Sequence, residues 1–282
     1  MLRTRSMLLG LAIALLCGVQ GVRADVDAGL RAAHEGNYEA AVAEWRPLAE
    51  DGNARAQFLL GLCYRTGKGV VQDPANAVRW FEKAAAQSDV DAQSVLGTML
   101  LIGEGVPADY DRAYANLDAA AKAGDRRAMY ALGVYYESGL DKPADVDAAF
   151  GWYGKSAELG LADAQVALGQ IYYAGEIVER DLDKAVRWLR RAAGQGNGFG
   201  QLGIGIMLLQ GEGIVQDRRA AYVWFGLAKD RLQPGEALGL AAEGMGDAAR
   251  ELSVEQRQTA DAEIAAWAPE LEWGDPLSFP QQ

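Results

Sequence analysis

The sequence predicts an all-α protein, a solenoid of helix-turn-helix repeats, on three observations. The first is a period. Gly61 recurs 36 residues later as Gly97, then as Gly133, Gly169 and Gly205, with Leu60, Leu96, Leu132, Leu168 and Ile204 just before them. A fixed spacing of this size, held over five copies, is the signature of stacked supersecondary units. The second is that each copy holds two apolar patterns of helical spacing: Ala56, Leu60, Gly61 and Tyr64, then Ala77, Trp80, Phe81 and Ala84. The third is punctuation. Gly67, Gly103, Gly139, Gly175 and Gly211 close the first pattern, and Asp73, Asp109, Asp145, Asp181 and Asp217 open the second. Glycine suits a left-handed helix end, and aspartate accepts an orphan N–H at a helix start.

In chain order, residues 1–24 read as a secretory signal. Arg3 and Arg5 form a basic start, Met7 to Leu16 an apolar stretch, and Val22-Arg23-Ala24 a small-residue cleavage site, with cleavage expected after Ala24. Cys17 follows Leu16, not the small residue that a lipoprotein signal carries. No later segment is apolar enough to be a transmembrane helix. Residues 25–52 read as an N-terminal capping half-repeat: a helix over about 26–35, a turn at Gly36-Asn37 and a second helix that Pro47 is expected to kink. Five repeats follow at 53–88, 89–124, 125–160, 161–196 and 197–232. Residues 233–270 read as C-terminal capping helices, a short one from Pro234 and a last one from Ser253, where Gln256 completes a capping box. Residues 271–282, with Pro276 and Pro280, read as a flexible tail.

The pattern Ala-x-x-x-Leu-Gly-x-x-Tyr-x-x-Gly-x-Gly-Val, then Asp, then Ala-x-x-Trp-x-x-x-Ala-Ala, resembles the Sel1-like repeat, a relative of the tetratricopeptide repeat. It covers residues 53 to about 230. Departures are Asn116 for tryptophan in the second copy, Gly200 for alanine in the fifth, and Asp141 and Ile177 for the second loop glycine in the third and fourth. The resemblance implies a right-handed α/α superhelix whose first helices line a concave face, and adaptor work through protein–protein contacts. Some secreted members staple each repeat with a cysteine pair. This chain has only Cys17 and Cys63, so it lacks that device.

Little points to catalysis, a cofactor or a metal. The single histidine, His34, lies in the opening cap, away from Cys63 and with no metal-ligand spacing beside it, so neither a nucleophile–base pair nor a histidine metal site is expected. Gly198-Phe-Gly-Gln-Leu-Gly203 matches a dinucleotide fingerprint in letters, yet it follows a helix and no strand. Removing residues 1–24 takes away three arginines and no acid. That leaves 24 basic against 39 acidic residues, a net charge of −15. Such a surface disfavours nucleic acid and anionic membranes.

Binding positions follow from the resemblance, which exposes offsets −6, −3, +1, +4 and +5 from the key glycine. Arg55, Phe58 and Arg65 of the first copy, Arg127, Tyr130 and Glu137 of the third, and Tyr173 of the fourth then form a surface for an extended peptide. The same rings would equally serve as packing between repeats. The expectation is a non-enzymatic scaffold in the periplasm or secreted, holding a protein or peptide in its groove. The alternative is an envelope carbohydrate-binding protein or hydrolase, distinguished by two carboxylates converging in a deep pocket.

Overall fold

A computed structural model of the chain describes residues 25–269. The expected signal at 1–24 and the expected tail at 271–282 lie outside the described residues. Among those described there are fourteen helices and no strand. α1 (Val26–His34) and α2 (Tyr38–Glu50) form the opening hairpin. The five repeats are α3 (Ala54–Thr66) with α4 (Pro74–Ala85), α5 (Val90–Ile102) with α6 (Tyr110–Lys122), α7 (Arg126–Ser138) with α8 (Val146–Glu158), α9 (Ala162–Ala174) with α10 (Leu182–Gly194), and α11 (Gly198–Gln210) with α12 (Arg218–Lys229). α13 (Glu236–Ala249) and α14 (Val254–Ala266) close the array on α12. Each first helix packs on its own second helix and on the second helix of the repeat before. α5 also touches α7, and α9 touches α11, so the first helices line the inside of the stack.

The punctuation works as the sequence implies. Asp73, Asp109, Asp145, Asp181 and Asp217 each accept the N–H three residues on. All five closing glycines sit at positive φ, between 60° and 75°, where a side chain would strain the backbone. The first helices have caps of their own, Asn53, Asp89, Asp125 and Asn197, which the sequence reading passed over. Leu161 holds that place in the fourth repeat and caps nothing. Pro47 lies inside α2, which continues to Glu50. α13 starts at Glu236, not Pro234, and runs 14 residues, longer than expected.

The key glycine is where the two helices of a repeat meet. A Cβ at Gly61 would stand 2.6 Å from Phe81, at Gly97 2.6 Å from Leu117, and at Gly133 2.4 Å from Tyr153. Gly169 and Gly205 face Leu189 and Phe225 in the same way. The opening cap repeats the device with Gly29 under Trp45, whose indole N–H donates to the Val26 carbonyl.

A buried glutamine ties successive repeats. Gln57 and Gln165 donate from Nε2 to the carbonyls of Ala49 and Ala157, at 3.0 and 3.3 Å. Their Oε1 atoms accept from Gln87 and Gln195, each at 2.8 Å. Gln201 reaches the Ala193 carbonyl alike, but Arg231 stands where the third glutamine would be, and the buried Gln201 Oε1 has no partner. In the third repeat the position is Met129. On the outer layer, Lys83, Lys155 and Arg191 lie over the half-buried rings of Trp80, Trp152 and Trp188.

The core forms three clusters. One runs from the opening cap to α7 and one from α10 to the end. A small one, built on Ala149, Tyr153, Ala157, Ala164 and Leu168, joins them.

Three outcomes are expected. Gly133→Ala, which forces a methyl into the Tyr153 ring, lowers stability by about 1–3 kcal/mol. Gly151→Ala, in α8 with nothing within 4 Å of the added carbon, raises it by about 0.5–1 kcal/mol. Urea melts of the two variants check the sign of each. Gln165→Met strands both a carbonyl and an amide, and costs about 1 kcal/mol more than Gln201→Met, whose Oε1 is already unpaired. The same melts measure that difference.

Candidate functional site

The predicted groove residues separate into three groups. Phe58 is a correction: it is 0 % exposed, packed 5.8 Å from the Phe81 ring and covered by the Arg55 guanidinium. Offset −3 turns into the seam between neighbouring first helices, so Ser94, Val166 and Leu202 at that offset are buried too. Leu62, at offset +1, is likewise buried.

Arg55, Arg65 and Arg127 form the second group, and all three are engaged in ion pairs between repeats. Asp91 carries Arg55 on one oxygen at 2.8 Å and Arg127 on the other at 2.9 Å, joining three repeats through offset −6. Arg127 also meets Asp125. Arg65 grips Glu104 of the next repeat with two bonds, at 2.9 and 2.8 Å. These arginines stiffen the inner face.

Tyr130, Glu137 and Tyr173 do line cavities. The first recess, about 310 Å³, lies between α7 and α9, walled by Tyr130, Glu137, Tyr153, Gln170, Glu176 and Ile177 among others. Glu137 accepts from the Tyr153 hydroxyl at 2.5 Å. Burial foremost, and then that bond, push the Tyr153 hydroxyl well above the ordinary tyrosine range. Tyr130 is raised by burial, then by the charges of Asp163 and Glu137. The second recess, about 470 Å³, lies across α9, α11 and α13, with Tyr173, Phe199, Leu202, Ile206 and Leu240 in its walls. Gln170 and Ala174 of α9 line both recesses, so the two lie side by side. Phe199 is 52 % exposed and Leu240 46 %.

Apart from Tyr173, the apolar half of this groove is absent from the predicted site. Counting the same offsets into the fifth copy gives Phe199, Leu202, Ile206, Leu209 and Gln210, a nearly all-apolar set that marks the place. Leu240 comes from the cap, where no register exists, and only coordinates reveal it.

Glu137 and Glu176 are two carboxylates in one recess, the arrangement that the hydrolase alternative asks for. Both are exposed, in an open trough and not in the apolar pocket that makes a general acid. Cys63 is buried, and its thiol is pushed up to about 12 by that burial, which leaves no thiolate for nucleophilic work at neutral pH. The three glycines of the dinucleotide-like string sit within α11, where Gly200 and Gly203 admit Ala192 and Leu189 of α10. Among the described residues no His, Cys, Asp and Glu group could hold a metal, and no helix is long and apolar enough to cross a membrane.

Asp91→Ala removes the shared acceptor of two arginines. It is expected to lower stability by about 1 kcal/mol at about 10 mM salt, and by much less at about 1 M, where screening acts within about 3 Å. Urea midpoints at the two salt concentrations provide the comparison.

Comparison with known proteins matches the fold just described. The family model for the Sel1 repeat fits residues 54–89, 90–125, 126–161, 162–197 and 199–231. Among solved structures, a Sel1 repeat protein from Oxalobacter formigenes is 26 % identical over 86 % of this chain and 99 % of its own, with TM-score 0.71. A protective antigen present in uropathogenic Escherichia coli strains, displaying an SLR fold, is 23 % identical over 89 % of this chain and 73 % of its own, with TM-score 0.53. An immunity protein from Pseudomonas aeruginosa is 20 % identical over 78 % of this chain and 83 % of its own, with TM-score 0.51. The last two likenesses concern the fold alone. No curated protein sequence matches the chain. Five successive repeat matches, each starting within one residue of the start of a helical hairpin, place this chain in the Sel1 repeat family.

Proposed function

We propose that this chain is a non-enzymatic, extracytoplasmic adaptor that holds a protein or peptide partner in the groove across α7, α9, α11 and α13. Sel1 repeats build protein-interaction scaffolds. The observation that carries the reading is that two recesses lie side by side across α9, with Gln170 and Ala174 in the walls of both, an arrangement that an extended segment could span. The groove walls are helices held by close packing against their neighbours, so little ordering entropy opposes association. The basic and apolar segment at 1–24 supports export, to the periplasm or beyond.

A photo-crosslinking side chain at Gln170 tests the site in cells. It is expected to yield a covalent adduct that the same group at Asn116, on the outer layer, does not. Equal adducts from both positions would place the contact elsewhere. Terminal sequencing of the exported protein is expected to begin at Asp25, and a chain that keeps Met1 and stays in the cytoplasm would remove the extracytoplasmic part.

A further inference from the structure

Each repeat junction brings together two fixed positions on the inner face: four residues after one key glycine, and seven after the next. At the first junction these are Arg65 and Glu104, doubly bonded. At the second they are Leu101 and Leu140. At the fourth they are Tyr173 and Glu212, joined by a hydrogen bond, with the Arg180 guanidinium over the Tyr173 ring and 3.0 Å from the Glu212 carboxylate. At the third they are Glu137 and Glu176. There, two acids occupy the register that elsewhere holds a matched pair, and both line the same recess. Glu137 has the Tyr153 hydroxyl as donor, and Glu176 has no ion-pair partner among the described residues. Neither lysine nor arginine lines that recess, and Asp163 adds its charge beside Tyr130. The junction is short of one cation.

The repeat pattern lapses at several other points around this junction. Met129 replaces the buried glutamine, Leu161 caps nothing, and Asp141 and Ile177 replace the loop glycines. In the other repeats those glycines, Gly69, Gly105 and Gly213, bring the loop against the second helix of the hairpin before. Local rules are most often broken where a surface serves something other than stability.

The neighbouring recess has a different character. Its walls hold no charged side chain, and Phe199 and Leu240 stand exposed at its edge. Adjacent packed helices lie about 8–10 Å apart, a span that an extended chain covers in about three residues at roughly 3.3 Å each.

Resting on the groove reading above, we infer that the partner is an extended peptide segment carrying an arginine or lysine about three residues from a large aliphatic or aromatic side chain. The cation is received between Glu137 and Glu176, and the apolar side chain enters the recess of Tyr173, Phe199, Ile206 and Leu240. Charge complementarity disfavours two other occupants. Residues 270–282 offer Trp273, Leu277 and Phe279, but also Glu270, Glu272 and Asp275 and no basic residue. A second copy of this chain would bring a strongly acidic surface to an acidic recess.

The test uses the full chain and fluorescein-labelled nine-residue peptides of glycine and serine. One carries arginine and leucine three positions apart, one arginine alone, one leucine alone, and one glutamate in place of arginine. Fluorescence anisotropy is expected to show the arginine–leucine peptide binding about tenfold or more tightly than either single-residue peptide, and the glutamate peptide weakest. Glu137→Gln and Glu176→Gln are each expected to weaken the arginine–leucine peptide by up to about fivefold at low salt, and to leave the leucine peptide unchanged. Glu176→Arg, which supplies the missing cation and keeps the Tyr153–Glu137 bond, is expected to raise the melting temperature while erasing the preference for arginine. That coupled result separates a vacant cation site from simple misfolding.

Equal binding of the arginine and glutamate peptides overturns the inference. So does tenfold tighter binding after Trp273→Ala, Leu277→Ala and Phe279→Ala together, which would make residues 270–282 the occupant. Self-association that the peptide abolishes would make it a second copy. A crosslink at Gln170 in cells with no peptide binding would leave the groove reading standing and remove this refinement. No crosslink at Gln170 would remove the groove reading itself.

Discussion

The structure depends on one steric constraint: at the crossing of each hairpin, the first helix must offer bare backbone to a large side chain of the second. Phe81, Leu117, Tyr153, Leu189 and Phe225 each sit where a methyl group could not fit. A helix of about thirteen residues is marginal alone in water, so the close crossing, and the apolar area it removes from solvent, is what makes a repeat a folding unit. The glycine costs about 1 kcal/mol of helix propensity against alanine, and the packed ring more than offsets it. Successive repeats then need only nearest-neighbour contacts.

Upon that frame lie ties of two kinds. Buried glutamines hold the end of one hairpin to the start of the next, and charged pairs run along the inner face. Both kinds follow the 36-residue register, so the groove is shaped mainly by what each repeat does to its neighbour. The third junction is the exception, with the smallest core cluster and two acids in register. Inner-face ion pairs join the first three repeats, through Arg55, Asp91 and Arg127 and through Arg65 and Glu104, and the fourth and fifth, through Arg180 and Glu212.

Much of the fold could be read from spacing alone. The key glycines, the closing glycines and the aspartate caps are each fixed by a backbone requirement that few residues meet, and such positions survive in sequence as invariant letters. The groove was less legible. Phe58 and Tyr130 occupy the same offset, yet one is fully buried and the other walls a cavity, because the depth of a seam depends on the neighbouring repeat and not on the residue itself. Arg55 and Arg127 looked like binding groups until the coordinates placed Asp91 between them. An arginine's role is set by its partners, and partners 36 residues away are visible only when the register is read across repeats. The apolar recess needed α13, which lies outside the period.

The order of residues at offset −6, Arg55, Asp91, Arg127 and Asp163, has an evolutionary implication. Because the sign alternates over these four copies, excising the second or the third hairpin would set like charges face to face: loss of the second would put Arg55 against Arg127. Excising or duplicating two adjacent hairpins keeps the alternation intact. The inner edge therefore behaves as a parity rule, under which arrays of this ancestry lengthen and shorten more readily by pairs than by ones.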